Sequence, residues 1–292
     1  MLNLIKMEFF RALKSKCTYV LIILIALFSI LNPIMLKLTI TMMNNSPEMK
    51  ESYTSALDQS EQQQSDVNVG MSSYGSSKWY ADNYEFKITD MSEELLNGGF
   101  VVLFLVIFTV IFVSAEIKHG YVKNMLGQIY KREKLVFANG IICMLMMLAM
   151  TVISIIITSL TGALLFNNVV LGDVGNFCQY LLTKFLLYIA FTSLIILLSY
   201  LVRSSAFPMV IGICLQMGIG SLVYLLISTV VNKVFKPDST FSMQKYTITG
   251  NISAITQDAS EHTYIRAIIV ALIYCTVFTF LACTVAKKRD LK

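Results

Sequence analysis

Charge is the scarcest property of this sequence. Only 14% of its 292 residues are Asp, Glu, Lys or Arg, against about a quarter in an ordinary soluble domain. Hydrophobic residues reach 56%, and the mean hydropathy is +0.68. So few charges cannot cover the surface of a water-soluble globule, which excludes a soluble enzyme. Histidine is nearly absent too. His119 and His262 are the two in the chain. They are expected on opposite sides of a membrane, which argues against a metal site built on paired histidines. The sequence has no G-x-x-x-x-G-K-[ST] phosphate loop, no G-x-S-x-G elbow and no G-x-G-x-x-G fingerprint. The chain itself is therefore not expected to bind ATP in the P-loop manner. No CxxC spacing joins the six cysteines, Cys17, Cys143, Cys178, Cys214, Cys275 and Cys283, and small apolar filling is their expected role.

Long apolar runs are what the sequence has instead. A helix crossing the ~30 Å hydrocarbon layer needs about 20 mostly apolar residues. Six runs qualify: residues 17–40, 99–115, 135–166, 181–202, 207–231 and 264–286. None alternates with a period of two, so helices rather than a barrel are expected. The first run is too long for the apolar core of a secretory signal and is read as a permanent helix. The fold class expected is an all-α integral membrane protein of six transmembrane helices forming one domain over residues 1–292.

Six spans put both termini on the same side, and the basic residues say which. Lys6, Arg11, Lys14 and Lys16 precede the first span, and Lys118, Lys123, Lys131, Arg132 and Lys134 lie between the second and third. Arg203 follows the fourth, and Lys287, Lys288, Arg289 and Lys292 end the chain. With Glu8, Glu116, Glu133 and Asp290 that side carries +10, and the other side carries −5, which together give the net +5. The positive-inside rule then places both termini in the cytoplasm of a cell-membrane protein. Bases scattered among short loops do not make a nucleic-acid surface.

The centres of all six runs lack ionisable residues. Lys37, Lys184 and Arg266 stand near the outer ends, where they are expected to snorkel to the interface. Proton-coupled transport has no residues to work with, so energy for any uphill transport is expected from a partner. Gln216 lies near the middle of the fifth run, with Gly212, Gly218, Gly220 and Ser221 around it. Two readings stand side by side: close helix packing around one buried amide, or a substrate path at a dimer axis lined by Gln216 and Gly220. Pro33 is expected to kink the first span, and Pro208 sits where a helix start tolerates it.

Residues 41–98 are the long hydrophilic stretch, expected outside the cell. They contain Gln62-Gln63-Gln64, ten acids between Glu48 and Glu94, and the aromatics Tyr74, Trp79, Tyr80, Tyr84 and Phe86. A solvated loop is one reading, and a small aromatic cap at the membrane surface is another. Residues 232–263 are too polar to span but long enough for short helices or a re-entrant element. At the N-terminus, Leu2, Ile5, Phe9 and Leu13 recur at spacings of three and four. With the neighbouring bases they predict an amphipathic interfacial helix over residues 1–16.

After the second run the chain reads SAEIKHGYVKNMLGQIYKREKLVFAN. Glu116 is followed four residues later by Gly120, then by a short helical stretch and the basic group Lys131-Arg132-Glu133-Lys134. This loop, over residues 116–134, resembles the cytoplasmic coupling loop of type-2 ABC transporter permeases. The interfacial helix, the six spans, the long outer loop and the polar 232–263 segment resemble that family too, so the likeness extends over the whole chain. It implies a type-2 ABC exporter fold in which two permease copies, identical or homologous, pair within the membrane lipid. Separate ABC ATPase subunits bind ATP and Mg, and no cofactor belongs to this chain. It implies ATPase coupling through Glu116, Gly120, Tyr121, Met125 and Arg132. Permeases of this size resemble exporters of hydrophobic drugs, lantibiotics or amphipathic peptides. Two other classes stay open: a sensor or immunity protein binding a ligand through the outer loop, and a sodium-coupled carrier.

Overall fold

The computed structural model of the chain describes residues 2–45, 85–118, 133–166, 169–202, 204–235 and 241–288. Helices dominate it, and the chain is an all-α membrane protein. Helix α1 (Leu2–Lys14) runs into α2 (Lys16–Asn44) through Ser15 alone. Thr18 donates its hydroxyl to the Ala12 carbonyl at 2.6 Å and closes that junction. Then follow α3 (Ile88–Asn97), α4 (Phe100–Lys118), α5 (Glu133–Leu165), α6 (Val174–Leu201), α7 (Ala206–Gln216) and α8 (Ile219–Phe235). A 3-10 turn (Met243–Tyr246), α9 (Ile248–Ala254) and α10 (Glu261–Lys288) complete the order.

Four of these helices, α2, α5, α6 and α10, are individually long and apolar enough to cross a membrane. Two further pairs pass the same test only together: α3 with α4, bent by 48°, and α7 with α8, bent by 66°. Both breaks fall on a glycine with positive φ, Gly99 at 74° and Gly218 at 80°. L-residues with a Cβ rarely adopt that left-handed region, and glycine does so freely. The helix before each break ends in the same way. Gly98 N–H donates to Glu94 O at 2.9 Å and Gly99 N–H to Leu96 O at 3.3 Å. Met217 N–H donates to Ile213 O at 2.8 Å and Gly218 N–H to Leu215 O at 3.3 Å.

Several sequence expectations are corrected here. The 207–231 run is not one continuous helix but α7 and α8, because Met217-Gly218 turns the chain between them. The expected outer loop of residues 41–98 has helix at both ends. α2 continues to Asn44, and residues 88–97 form α3, which buries Met91, Leu95 and Leu96 at spacings of four and five. A search for 20-residue apolar runs passes over an amphipathic helix of this length. α6 begins at Val174 rather than 181, because Asp173 caps it: its carboxylate accepts from the Gly175 and Asn176 amides at 3.0 and 3.4 Å. One small strand pair departs from the all-helical expectation: Phe86–Lys87 (β1) runs parallel to Val169–Val170 (β2). There Phe86 stacks on Phe166 with ring centroids 4.0 Å apart. Tyr74, Trp79, Tyr80 and Tyr84, the other aromatics of the expected cap, lie outside the described residues. α2 runs on through Pro33 as one helix. The 232–263 segment does contain short helices.

α6 is the central helix. It packs along α10 on one side and α4 on the other, and α5 packs along α2. The buried core consists of large apolar side chains from these helices, among them Phe108, Ile142, Met147, Tyr188 and Phe191. Between helices in lipid such close packing contributes by dispersion rather than by release from water. Gly212 shows how tight it is, since a Cβ there meets Val106 Cγ1 at 2.6 Å and Ile195 Cδ1 at 2.8 Å.

Candidate functional site

One end of the bundle gathers α1, the last turn of α4, the first turns of α5 and the end of α6. Arg11 of α1 lies at its centre. Its Nη2 donates to Glu116 Oε1 at 2.6 Å and lies 2.9 Å from Glu8 Oε2. The guanidinium also sits 4.1 Å from the centroid of the Phe112 ring. The other carboxylate oxygen of Glu116 accepts from Asn139 Nδ2 at 2.7 Å, and the same amide donates to Tyr200 Oη at 3.0 Å. Glu8, Glu116 and Asn139 are each 0% exposed. A carboxylate taken out of water needs opposite charge and hydrogen bonds to remain ionised, and here one guanidinium serves two acids. Burial pushes the Glu8 carboxyl above its ordinary value, with Arg11 opposing that shift.

α1 thus docks in a way its apolar stripe did not indicate. Leu2, Phe9 and Leu13 of that stripe are exposed, and the ridge turned into the protein carries Glu8 and Ala12. Glu8, Arg11, Asn139 and Tyr200 were not among the sequence candidates. Their faint signal was composition: one acid in an otherwise basic helix, and one amide in an apolar run. Next to this cluster, Lys287 Nζ at the end of α10 pairs with Glu133 Oε1 at 2.6 Å.

Of the coupling candidates, Glu116 is central to this cluster, whereas Gly120, Tyr121, Met125 and Arg132 lie outside the described residues. Gln216 and Gly220 flank the break between α7 and α8. Gln216 is buried as the last residue of α7, and a Cβ on Gly220 would meet the Tyr224 hydroxyl at 3.1 Å.

A second polar cluster, also missed, joins α3, α6 and α9 at the opposite end. Lys184 does not snorkel: it is 1% exposed. Its ammonium donates to Asn97 Oδ1 at 2.6 Å and to the Ile252 carbonyl, and it lies 5.4 Å from the centroid of the Tyr180 ring. Tyr180 Oη also donates to Asn97 Oδ1, at 3.1 Å. Glu93 accepts from the Gln257 amide at 3.1 Å and from its side-chain Nε2 at 2.7 Å. Asn97 is the last residue of α3, so this cluster secures the chain just before the Gly98-Gly99 break.

Among the described residues, no group of three His, Cys, Asp or Glu side chains is placed to hold a metal ion. All six cysteines are free thiols. Neither cluster pairs a nucleophile with a base; each joins helices through charge and hydrogen bonds. No curated protein and no solved structure matches the chain. A family profile described as protein of unknown function (DUF2705) matches residues 64–292, and the chain belongs to that family.

Proposed function

We propose that this chain is the membrane permease subunit of an ATP-driven ABC exporter, with six spans and both termini in the cytoplasm. On this reading the two bent helix pairs are the second and fifth spans. The observation that carries the proposal is the Arg11–Glu116 contact of 2.6 Å. It ties the interfacial helix to the last turn of α4, immediately before the loop with the coupling pattern. A push on that loop would therefore reach α1, α5 and α6 through Glu116, Asn139 and Tyr200 together. Glu116 itself is buried, so its role is positioning: it anchors the loop, while Gly120, Tyr121, Met125 and Arg132 meet the ATPase. ATP and Mg belong to that partner, and this chain performs no hydrolysis. A second permease copy, identical or homologous, completes the path. The acidic, aromatic 41–98 segment and the Met-rich spans suit an amphipathic peptide, a lantibiotic or a hydrophobic drug.

The test is mild-detergent purification from the native cell membrane with mass spectrometry of co-eluting proteins. It is run for the native chain and for a Tyr121→Ala, Met125→Ala, Arg132→Ala variant. A P-loop ATPase should elute with the native chain and be lost from the variant. A folded, monodisperse native preparation without any ATPase overturns the reading.

A further inference from the structure

Between α5, α6 and α10 runs a side-opening groove with a cavity of about 730 Å³. It extends along α5 from Glu133 to Met147, which is about 21 Å at the α-helical rise. That exceeds one leaflet's half of the ~30 Å hydrocarbon layer. Phe137, Ile141, Met144 and Phe280 form much of its wall. Five hydroxyl side chains also line it, and all but that of Thr279 are spent on their own helices. Thr192 donates to Tyr188 O at 2.7 Å, Ser193 to Ile189 O at 2.9 Å, Thr276 to Leu272 O at 2.9 Å and Thr284 to Leu281 O at 2.7 Å. A polar ligand would find few free partners along this wall, whereas a hydrocarbon chain loses nothing there.

Among the described lining residues, charge appears only at one end. Lys287 and Glu133 form their 2.6 Å pair at the mouth of the groove. Lys134 and Lys288, next to them in sequence, are both exposed. Among the described residues at that end, three lysines and one glutamate sum to +2, which favours an anionic head. We infer that the groove holds an acyl chain of an anionic phospholipid whose phosphate rests over Lys134, Lys287 and Lys288. The site stands apart from the proposed export role and does not depend on it.

Gly140 supplies the decisive variant. It lines the groove, and a Cβ built on it meets nothing within 4 Å. Gly140→Phe therefore fills the groove without a backbone clash. The experiment is native mass spectrometry of the full chain, delipidated in detergent and titrated with phosphatidylglycerol or with phosphatidylcholine of the same acyl chains. Phosphatidylglycerol should be retained in preference to phosphatidylcholine. A Lys134→Ala, Lys288→Ala variant, which keeps the Lys287–Glu133 pair, should lower phosphatidylglycerol retention about tenfold and spare phosphatidylcholine, given the strength of lysine attraction to anionic lipid. Gly140→Phe should lower retention of both. Equal retention of the two lipids overturns the proposal, as does phosphatidylglycerol retention untouched by either variant. If Gly140→Phe instead removes a dimer mass and leaves lipid adducts unchanged, the occupant is a second copy and the lipid reading fails.

Discussion

Arg11 and Glu116, 105 positions apart in sequence, meet at 2.6 Å and lock the N-terminal helix to the last turn of α4. Glu116 is wholly buried and Arg11 is one quarter exposed at its side chain. Removing the arginine therefore leaves a buried carboxylate without its counter-charge. Arg11→Ala should destabilise the folded protein by about 3 kcal/mol, the scale of breaking a buried pair from one side. The readout is the thermal unfolding midpoint in detergent. Adding Glu116→Gln to Arg11→Ala should recover part of the loss, because Glu8 is then the one buried acid left without the guanidinium. Purely additive losses would show that the two side chains do not act as a pair.

Glu8 makes the docking of α1 sensitive to pH. Burial raises its folded value above the ordinary 4.5, with Arg11 opposing. A raised folded value means the folded state binds the proton more tightly. The resulting stability is fully present below the unfolded value and is lost as pH climbs through the folded one. The unfolding midpoint should therefore fall as pH rises above the ordinary carboxylate range, and Glu8→Gln should flatten that slope. An unchanged slope in the Gln variant would assign the pH dependence to other groups.

Asn97 is the shared acceptor for the Lys184 ammonium and the Tyr180 hydroxyl. Asn97→Ala takes that acceptor from a buried cation and should cost about 1.5–3 kcal/mol, the usual value of a hydrogen bond to a charged group. Lys184→Met keeps the length of the side chain and removes the charge that needs a partner, so its cost should be smaller. Thermal unfolding of both variants in one detergent gives the comparison. A Met variant as damaged as the Ala variant would mean that the ammonium itself holds α6 to α9.

Gly212 and Gly140 should respond in opposite ways to added bulk. A Cβ at Gly212 meets Val106 and Ile195 below 3.0 Å, so Gly212→Val should cost about 1–3 kcal/mol through overpacking. Gly140 faces open space within α5, so Gly140→Ala should be stabilising by about 0.5–1 kcal/mol through the helix preference of alanine. Unfolding midpoints of the two variants test the pair of signs. A tolerated Gly212→Val would mean that α7 can move away from α4 and α6.

Composition and hydropathy by themselves settled the class of this protein. Too few charges for a soluble surface, and apolar runs at residues 17–40, 135–166, 181–202 and 264–286, were enough to locate α2, α5, α6 and α10. Those features are sums over neighbouring residues, so a linear reading captures them. For the stretch around Gln216 it left close packing and a substrate path side by side, and Gly212 sits in a close helix contact. What required the tertiary structure was which helix faces meet. Arg11 was one base among several until α1 brought it to Glu116, and Lys184 looked able to reach the interface until α3 and α9 closed over it. The two bends likewise depend on a left-handed backbone at Gly99 and Gly218, and hydropathy averages across such a residue. A buried charge is stabilised by partners from distant parts of the chain, and no local pattern records where those partners will be.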